Sequence, residues 1–118
     1  MHNFKELIIW QKARELVKEI YIVVNLFPDD EKFGLISQIK RASVSIPANI
    51  AEGAGRNSDK DFTRFLSIAN GSSYELETLI ILSLDLKYLN KSEFEIIIDR
   101  IKEIQKMIYS FKNKINKS

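Results

Sequence analysis

Apolar residues recur every three or four positions in four separate stretches of the chain, the spacing that lines one face of an α-helix. The first stretch carries Ala13, Leu16, Val17, Ile20, Val23, Val24 and Phe27, and Pro28 stops it. The second carries Leu35, Ile39, Ala42, Ile46 and Ile50. Asp29 and Asp30 stand before it as caps and first-turn acids, and Gly53 and Gly55 mark its end. The third begins after Ser58, with Asp61 three residues on in a capping-box arrangement, and continues through Phe62, Phe65, Leu66, Ala69, Leu76, Leu79 and Ile80 toward Tyr88. Asn90 with Glu93 repeats that signal ahead of the fourth. There the stripe of Phe94, Ile97, Ile98, Ile101, Ile104, Ile108, Phe111 and Ile115 is almost heptad-regular. The pattern predicts helices over about residues 8–27, 31–54, 59–88 and 91–115. Only Glu6–Trp10 reads as a strand, and it is too short and isolated to make a sheet.

Four amphipathic rods with short connections predict an all-α fold, an antiparallel up-and-down four-helix bundle occupying residues 1–118 as one domain. Rods of roughly twenty to thirty residues, at about 1.5 Å each, are about 30 to 45 Å long and match one another. The amino terminus with His2 and the basic tail "KNKINKS" are expected to fray. The segment "LIILSLDL" at 79–86 is apolar nearly all round, and Tyr21 and Ile22 widen the apolar face of the first helix. A four-helix monomer cannot bury all of that, so the surplus points to association between copies.

Pro47 falls about a dozen residues into the second helix, where it deletes the hydrogen bond to the Ser43 carbonyl at a cost of about 3 kcal/mol. Two outcomes follow: a bend, or a break at Ile46 with a fresh turn starting at Pro47. The stripe Ala42, Ile46, Ile50, Gly53 keeps its phase across the proline and favours the bend. The glycines just beyond it, in "EGAGRNSD", lack the preceding strand and the following Lys-Ser/Thr that a phosphate loop requires. They read instead as a left-handed cap and a corner between helices. Arg56 and Lys60 beside the amino end of the third helix would still attract an anion there.

A polar ridge runs beside the core of the second helix. Gln38, Arg41, Ser45, Asn49, Glu52 and Arg56 fall within roughly 80° of one another at about 100° per residue. Arg64, Ser67, Gly71, Glu75 and Thr78 form a counterpart on the third helix. Solvated faces are usually lysine and glutamate, whereas this ridge is amide, hydroxyl, arginine and small residues, the inventory of a surface that meets a partner. Subunit contact and a ligand-facing groove both fit it.

Composition narrows the chemistry. With 45% hydrophobic and 29% charged residues the chain is globular, and the absence of cysteine excludes disulfides and thiolate chemistry and suits a cytoplasmic location. The one histidine excludes the paired Glu-x-x-His of a di-iron bundle and a zinc site, so no metal or cofactor is expected. Glu75 and Glu77 point in different directions on a helix, and no base accompanies the serines; no enzyme activity is expected. Leu7–Trp10 is too short an apolar run for a signal peptide or a membrane span. A net charge of +2 permits nucleic-acid binding without arguing for it.

"WQKA" at 10–13, "FP" at 27–28, "GLISQIKRASVSIPANIAEGAGR" at 34–56, "DFTRFLSIANGSSYELET" at 61–78 and "YLN" at 88–90 resemble the bacterial four-helix-bundle proteins encoded in intervening sequences of large-subunit ribosomal RNA genes. A looser resemblance extends to the accessory variability determinant proteins of diversity-generating retroelements. The resemblance implies a left-handed bundle assembled into a cyclic homo-oligomer, a pentamer, linked to RNA or DNA and, in the retroelement relatives, to a reverse transcriptase. It carries over no catalytic residues. The expected function is therefore a non-enzymatic, oligomeric nucleic-acid-binding or adaptor protein, with Lys12, Arg14, Lys40, Arg41, Arg56, Lys60 and Arg64 as candidate contacts. The alternative is a homo-oligomeric scaffold for a protein partner, in which Gln38, Arg41, Ser45, Asn49, Glu52, Gly71, Glu75 and Thr78 serve only subunit contacts.

Overall fold

The computed structural model describes residues 2–117 and contains four long helices: α1 (Ile8–Val24), α2 (Leu35–Ala54), α3 (Asp59–Asp85) and α4 (Lys91–Asn116). Each packs on its neighbours in chain order, and α1 closes the square against α4, within a body of 46 × 24 × 20 Å. This is the antiparallel four-helix bundle that the apolar periodicity predicts. Its core is dominated by branched aliphatics, among them Ile20, Ile39, Ile46, Ile50, Ile80, Ile101 and Ile104, all almost wholly buried. Ser43, Ser73 and Ser83 are buried as well, and their hydroxyls donate to the Lys40, Asn70 and Leu79 carbonyls of their own helices.

The helix ends depart from the sequence expectation at several points, each with a local cause. α1 stops at Val24, three residues short: the Leu26 and Phe27 N–H groups bond the Val23 and Val24 carbonyls in a tightened turn, and Phe27, directly before Pro28, is disfavoured in helical conformation. Phe27 stays in the core from the turn that follows, its ring 5.4 Å from that of Tyr88. α2 starts at Leu35 rather than near 31, and Asp29 and Asp30 do not cap it: with Glu31 they form a turn of 3₁₀ helix. Glu31 does the capping, one carboxylate oxygen accepting from the Leu35 N–H at 3.2 Å and the other from the Tyr88 hydroxyl at 2.9 Å. That hydrogen bond, followed by desolvation and the nearby negative charges of Glu31 and Asp30, raises the Tyr88 pKa above its usual value.

Asn90 and Glu93 form the reciprocal capping box at the start of α4, and Ser58 Oγ accepts from the Asp61 N–H at the start of α3. α3 ends at Asp85, not 88, because Lys87 adopts φ 65°. The Lys87 and Tyr88 N–H groups then close back onto the Leu84 and Ser83 carbonyls, the double bond of a Schellman cap with lysine where glycine is usual.

α2 runs unbroken through Pro47, so the break at Ile46 does not occur. The left-handed glycine cap does not occur either. Gly53 lies inside α2 and Gly55 has φ −82°, and among the described residues no glycine has positive φ. Gly53 is instead a point of close approach: a Cβ there would lie 2.7 Å from Phe65 Cβ, 2.9 Å from Phe62 Cδ1 and 3.3 Å from the Phe62 carbonyl. The corner from Gly55 to Ser58 then turns the chain into α3.

The described residues of both termini lie against the bundle. The His2 N–H donates to the Ala54 carbonyl at 2.8 Å, and its ring lies 5.0 Å from that of Phe62. Ile115 is buried, which carries α4 through most of the polar tail, and Thr63 donates to Asn116 Oδ1 at 3.2 Å.

Candidate nucleic-acid interface

The ridge on α2 divides by depth. Ser45 and Asn49 are half-buried at the α2–α3 seam, where Asn49 Nδ2 donates to Ser45 Oγ at 2.9 Å and Ser45 Oγ lies 2.8 Å from Ser72 Oγ of α3. Gln38, Arg41 and Glu52 are exposed. The expected counterpart on α3 does not meet it. Arg64, Ser67, Gly71, Glu75 and Thr78 all face solvent, Ser67 and Thr78 bond back to the Thr63 and Tyr74 carbonyls, and nothing lies within 4 Å of a Cβ built on Gly71. The residue that bridges the helices is Ser72, one position along and so about 100° around α3.

The seven basic candidates separate into groups. Arg56, Lys60 and Arg64 gather at the α2–α3 corner around one ring: the Arg56 guanidinium stands 4.8 Å and the Arg64 guanidinium 4.6 Å from the centre of Phe65. Phe65 is within reach because Gly53 lets α3 approach that closely. Glu52 holds Arg56 at 2.9 Å and Asp61 lies 3.8 Å from Arg64, both exposed pairs worth well under about 1 kcal/mol. Lys60 carries no ion pair among the described residues.

Arg14 lies over Trp10 at 5.5 Å, and Lys40 reaches across from α2 to lie 4.8 Å over Tyr21. Cations on aromatic faces in this way keep their charge outward while their stems cover the ring. Lys12 belongs to neither group; it pairs with Glu103 of α4 at 3.4 Å. Arg41 is exposed on the outer face of α2, fifteen residues and about 22 Å along the axis from Arg56.

Antiparallel packing gives these positions a collective effect. Both termini and the α2–α3 corner share one end of the bundle, tied by the His2–Ala54 and Thr63–Asn116 bonds, and the other two connections share the opposite end, tied by Glu31 and Tyr88. Cutting each helix at its middle leaves ten basic and five acidic side chains in the corner half, and eight basic and eleven acidic in the other. A chain of net +2 is thus about +5 at one end and −3 at the other. Lys40 and Arg41 fall in the acidic half, away from the corner group.

The phenylalanine, tryptophan and tyrosine that the cations cover were not among the residues the charge pattern singles out. Trp10, one turn before Arg14, and Phe65, next to Arg64, are legible in the sequence as aromatics near a cation, whereas the pairs Lys40–Tyr21 and Arg56–Phe65 join different elements and show only once the helices are packed. Among the described residues, no group of three or more His, Asp or Glu stands where a metal ion would be held, and no helix is long and apolar enough to cross a membrane.

Comparison with protein families matches residues 5–110 to the family described as 23S rRNA-intervening sequence protein. Among solved structures, the chain is similar to a protein with unknown function from the S23 ribosomal protein family from Bacteroides thetaiotaomicron VPI-5482, whose crystal structure is at 1.70 Å resolution. The two superpose with a TM-score of 0.81 at 28% identity, over 89% of this chain and 98% of that one. No curated protein sequence matches the chain.

Proposed function

The chain belongs to the 23S rRNA-intervening sequence protein family, and from that premise we propose that it is a non-enzymatic, oligomeric protein that binds RNA or DNA through the corner end of its bundle. The observation that carries this reading is the uneven charge along the axis, with Arg56, Lys60 and Arg64 clustered on the positive end. In a closed ring whose bundles stand along the symmetry axis, every copy turns its corner end to the same face, so a local +5 per copy becomes one broad positive face. Affinity for a polyanion rises steeply with the number of phosphates neutralised and falls linearly in log–log form with salt. The exposed apolar side chains Val44 of α2 and Ile68, Ile81 and Leu82 of α3 supply surface for contact between copies.

The test is a gel shift of structured RNA and of duplex DNA at two salt concentrations. Replacing Arg56 and Arg64 together by glutamine is expected to weaken binding and flatten its salt dependence, while Lys87→Gln with Lys91→Gln at the opposite end leaves both nearly unchanged. Affinity indifferent to salt, or equal losses from the two ends, refutes the reading.

A scaffold for a protein partner is the second reading, favoured by the half-buried Ser45–Ser72–Asn49 cluster together with the exposed apolar residues of α2 and α3. Arg41→Ala and Glu52→Ala separate the two. Loss of the oligomer by light scattering with no nucleic-acid affinity to lose supports the scaffold, whereas loss of RNA binding from an intact oligomer supports the first reading.

A further inference from the structure

An open groove of about 560 Å³ runs between α3 and α4, walled by Asn70 and Tyr74 on one side and by Lys102, Gln105, Lys106 and Tyr109 on the other. Across it Gln105 Nε2 donates to Glu77 Oε1 at 2.9 Å, which sets the two walls level with each other there. Tyr74 lies three residues before Glu77 and Tyr109 four after Gln105, so in antiparallel helices the two rings stand at one level on opposite walls. They are 55% and 66% exposed. Trp10, Tyr21 and Phe65 each have a cation over the ring, but among the described residues neither Tyr74 nor Tyr109 has a ring or cation partner.

The polar groups complement the rings. Asn70 and Gln105 are half-buried at the floor, whereas Lys102 and Lys106 are exposed at the rim and carry no ion pair among the described residues. The bond to Glu77 uses one N–H of the Gln105 amide and leaves its carbonyl free to accept; the Ser73 hydroxyl proton goes to the Asn70 backbone carbonyl at 2.6 Å, with Asn70 Oδ1 3.3 Å from Ser73 Oγ, and the Asn70 NH₂ is free to donate. One acceptor and one donor side by side suit the edge of a nucleobase. The size is that of a small-molecule site.

We propose that this groove binds a nucleotide, with the base against Tyr74 and Tyr109, its edge on Asn70 and Gln105, and its phosphate on Lys102 and Lys106. A free nucleotide and one unit of a single strand present the same chemistry, and neither requires the Arg56, Lys60 and Arg64 cluster; of the two groove lysines, Lys106 lies in the basic half of the bundle and Lys102 in the acidic half. The inference therefore goes beyond the function proposed above and stands apart from it.

Calorimetric titration of the full chain with AMP, UMP, hexa-adenylate and inorganic phosphate tests it. Saturable binding of a nucleotide, or of the hexamer alone, is expected, with phosphate at least about tenfold weaker. The first outcome marks a free nucleotide as the source and the second a strand. Tyr109→Ala is expected to cost about tenfold or more in affinity and Tyr109→Phe little, since the stacking ring remains. Circular dichroism checks that these exposed substitutions leave the fold intact. The proposal is overturned if neither nucleotide nor hexamer binds below about 1 mM, or if Tyr109→Ala leaves affinity unchanged. A change of sedimenting mass in Tyr109→Ala also overturns it, because the tyrosine would then belong to a contact between copies. Loss of gel shift in the Arg56, Arg64 variant with calorimetric binding intact counts only against the basic end, and the converse only against the groove.

Discussion

Replacing Gly53 by alanine tests whether the α2–α3 crossing is built on a missing side chain. Alanine in a helix interior is favoured over glycine by about 1 kcal/mol, so propensity alone predicts a more stable protein. The crossing predicts the reverse. The added Cβ would stand 2.7 Å from the Cβ of Phe65, an atom fixed to the α3 backbone that no rotamer change removes, and 2.9 Å from the ring of the almost wholly buried Phe62. Relief requires the helices to separate by most of an ångström, which strains the packing on both sides. Overpacking of this kind costs about 1 to 3 kcal/mol, and two contacts this short place it at the upper end. The net expectation is a loss of about 2 kcal/mol. For a domain of this size that lowers the melting midpoint by about 8 °C.

Gly71→Ala is the matched control, because nothing lies within 4 Å of a Cβ there and the site is exposed. It is expected to gain about 0.5 to 1 kcal/mol. Urea and thermal melts followed by circular dichroism, at one protein concentration so that association affects both alike, give the comparison. A Gly53→Ala protein as stable as Gly71→Ala would refute the steric account and return Gly53 to the role of a terminator.

Lys87 holds a left-handed conformation that costs a side-chain-bearing residue about 1 kcal/mol or more, so Lys87→Gly is expected to raise the urea midpoint despite its greater freedom when unfolded. A lowered midpoint would contradict that assignment. Tyr88 has its pKa raised in the folded state, so it binds its proton more tightly there than in the unfolded chain. The stability it lends is complete below about pH 10, its unfolded value, and declines as pH rises from there through the folded pKa. Tyr88→Phe should therefore be less stable than the parent at neutral pH and lose less on going to alkaline pH, as measured by urea melts from about pH 7 to 11. Parallel curves would show that the bond to Glu31 contributes nothing.

The chain's own order of residues determined the four helices, their apolar stripes and the Asn90–Glu93 box, because each depends on groups within one or two turns of one another. It located the corner between α2 and α3 but misread what the glycines there are for, since the short-range statistics of helix ends know nothing of the phenylalanines that Gly53 admits. The same limit hid Glu31 as the cap of α2, since its second oxygen is satisfied by Tyr88, fifty-seven residues away. Tertiary structure alone decided which charges share an end, which rings lie beneath arginines and which two tyrosines face one groove. Those facts arise when antiparallel packing brings distant turns to one level, and periodicity within a helix carries no record of its neighbour's register.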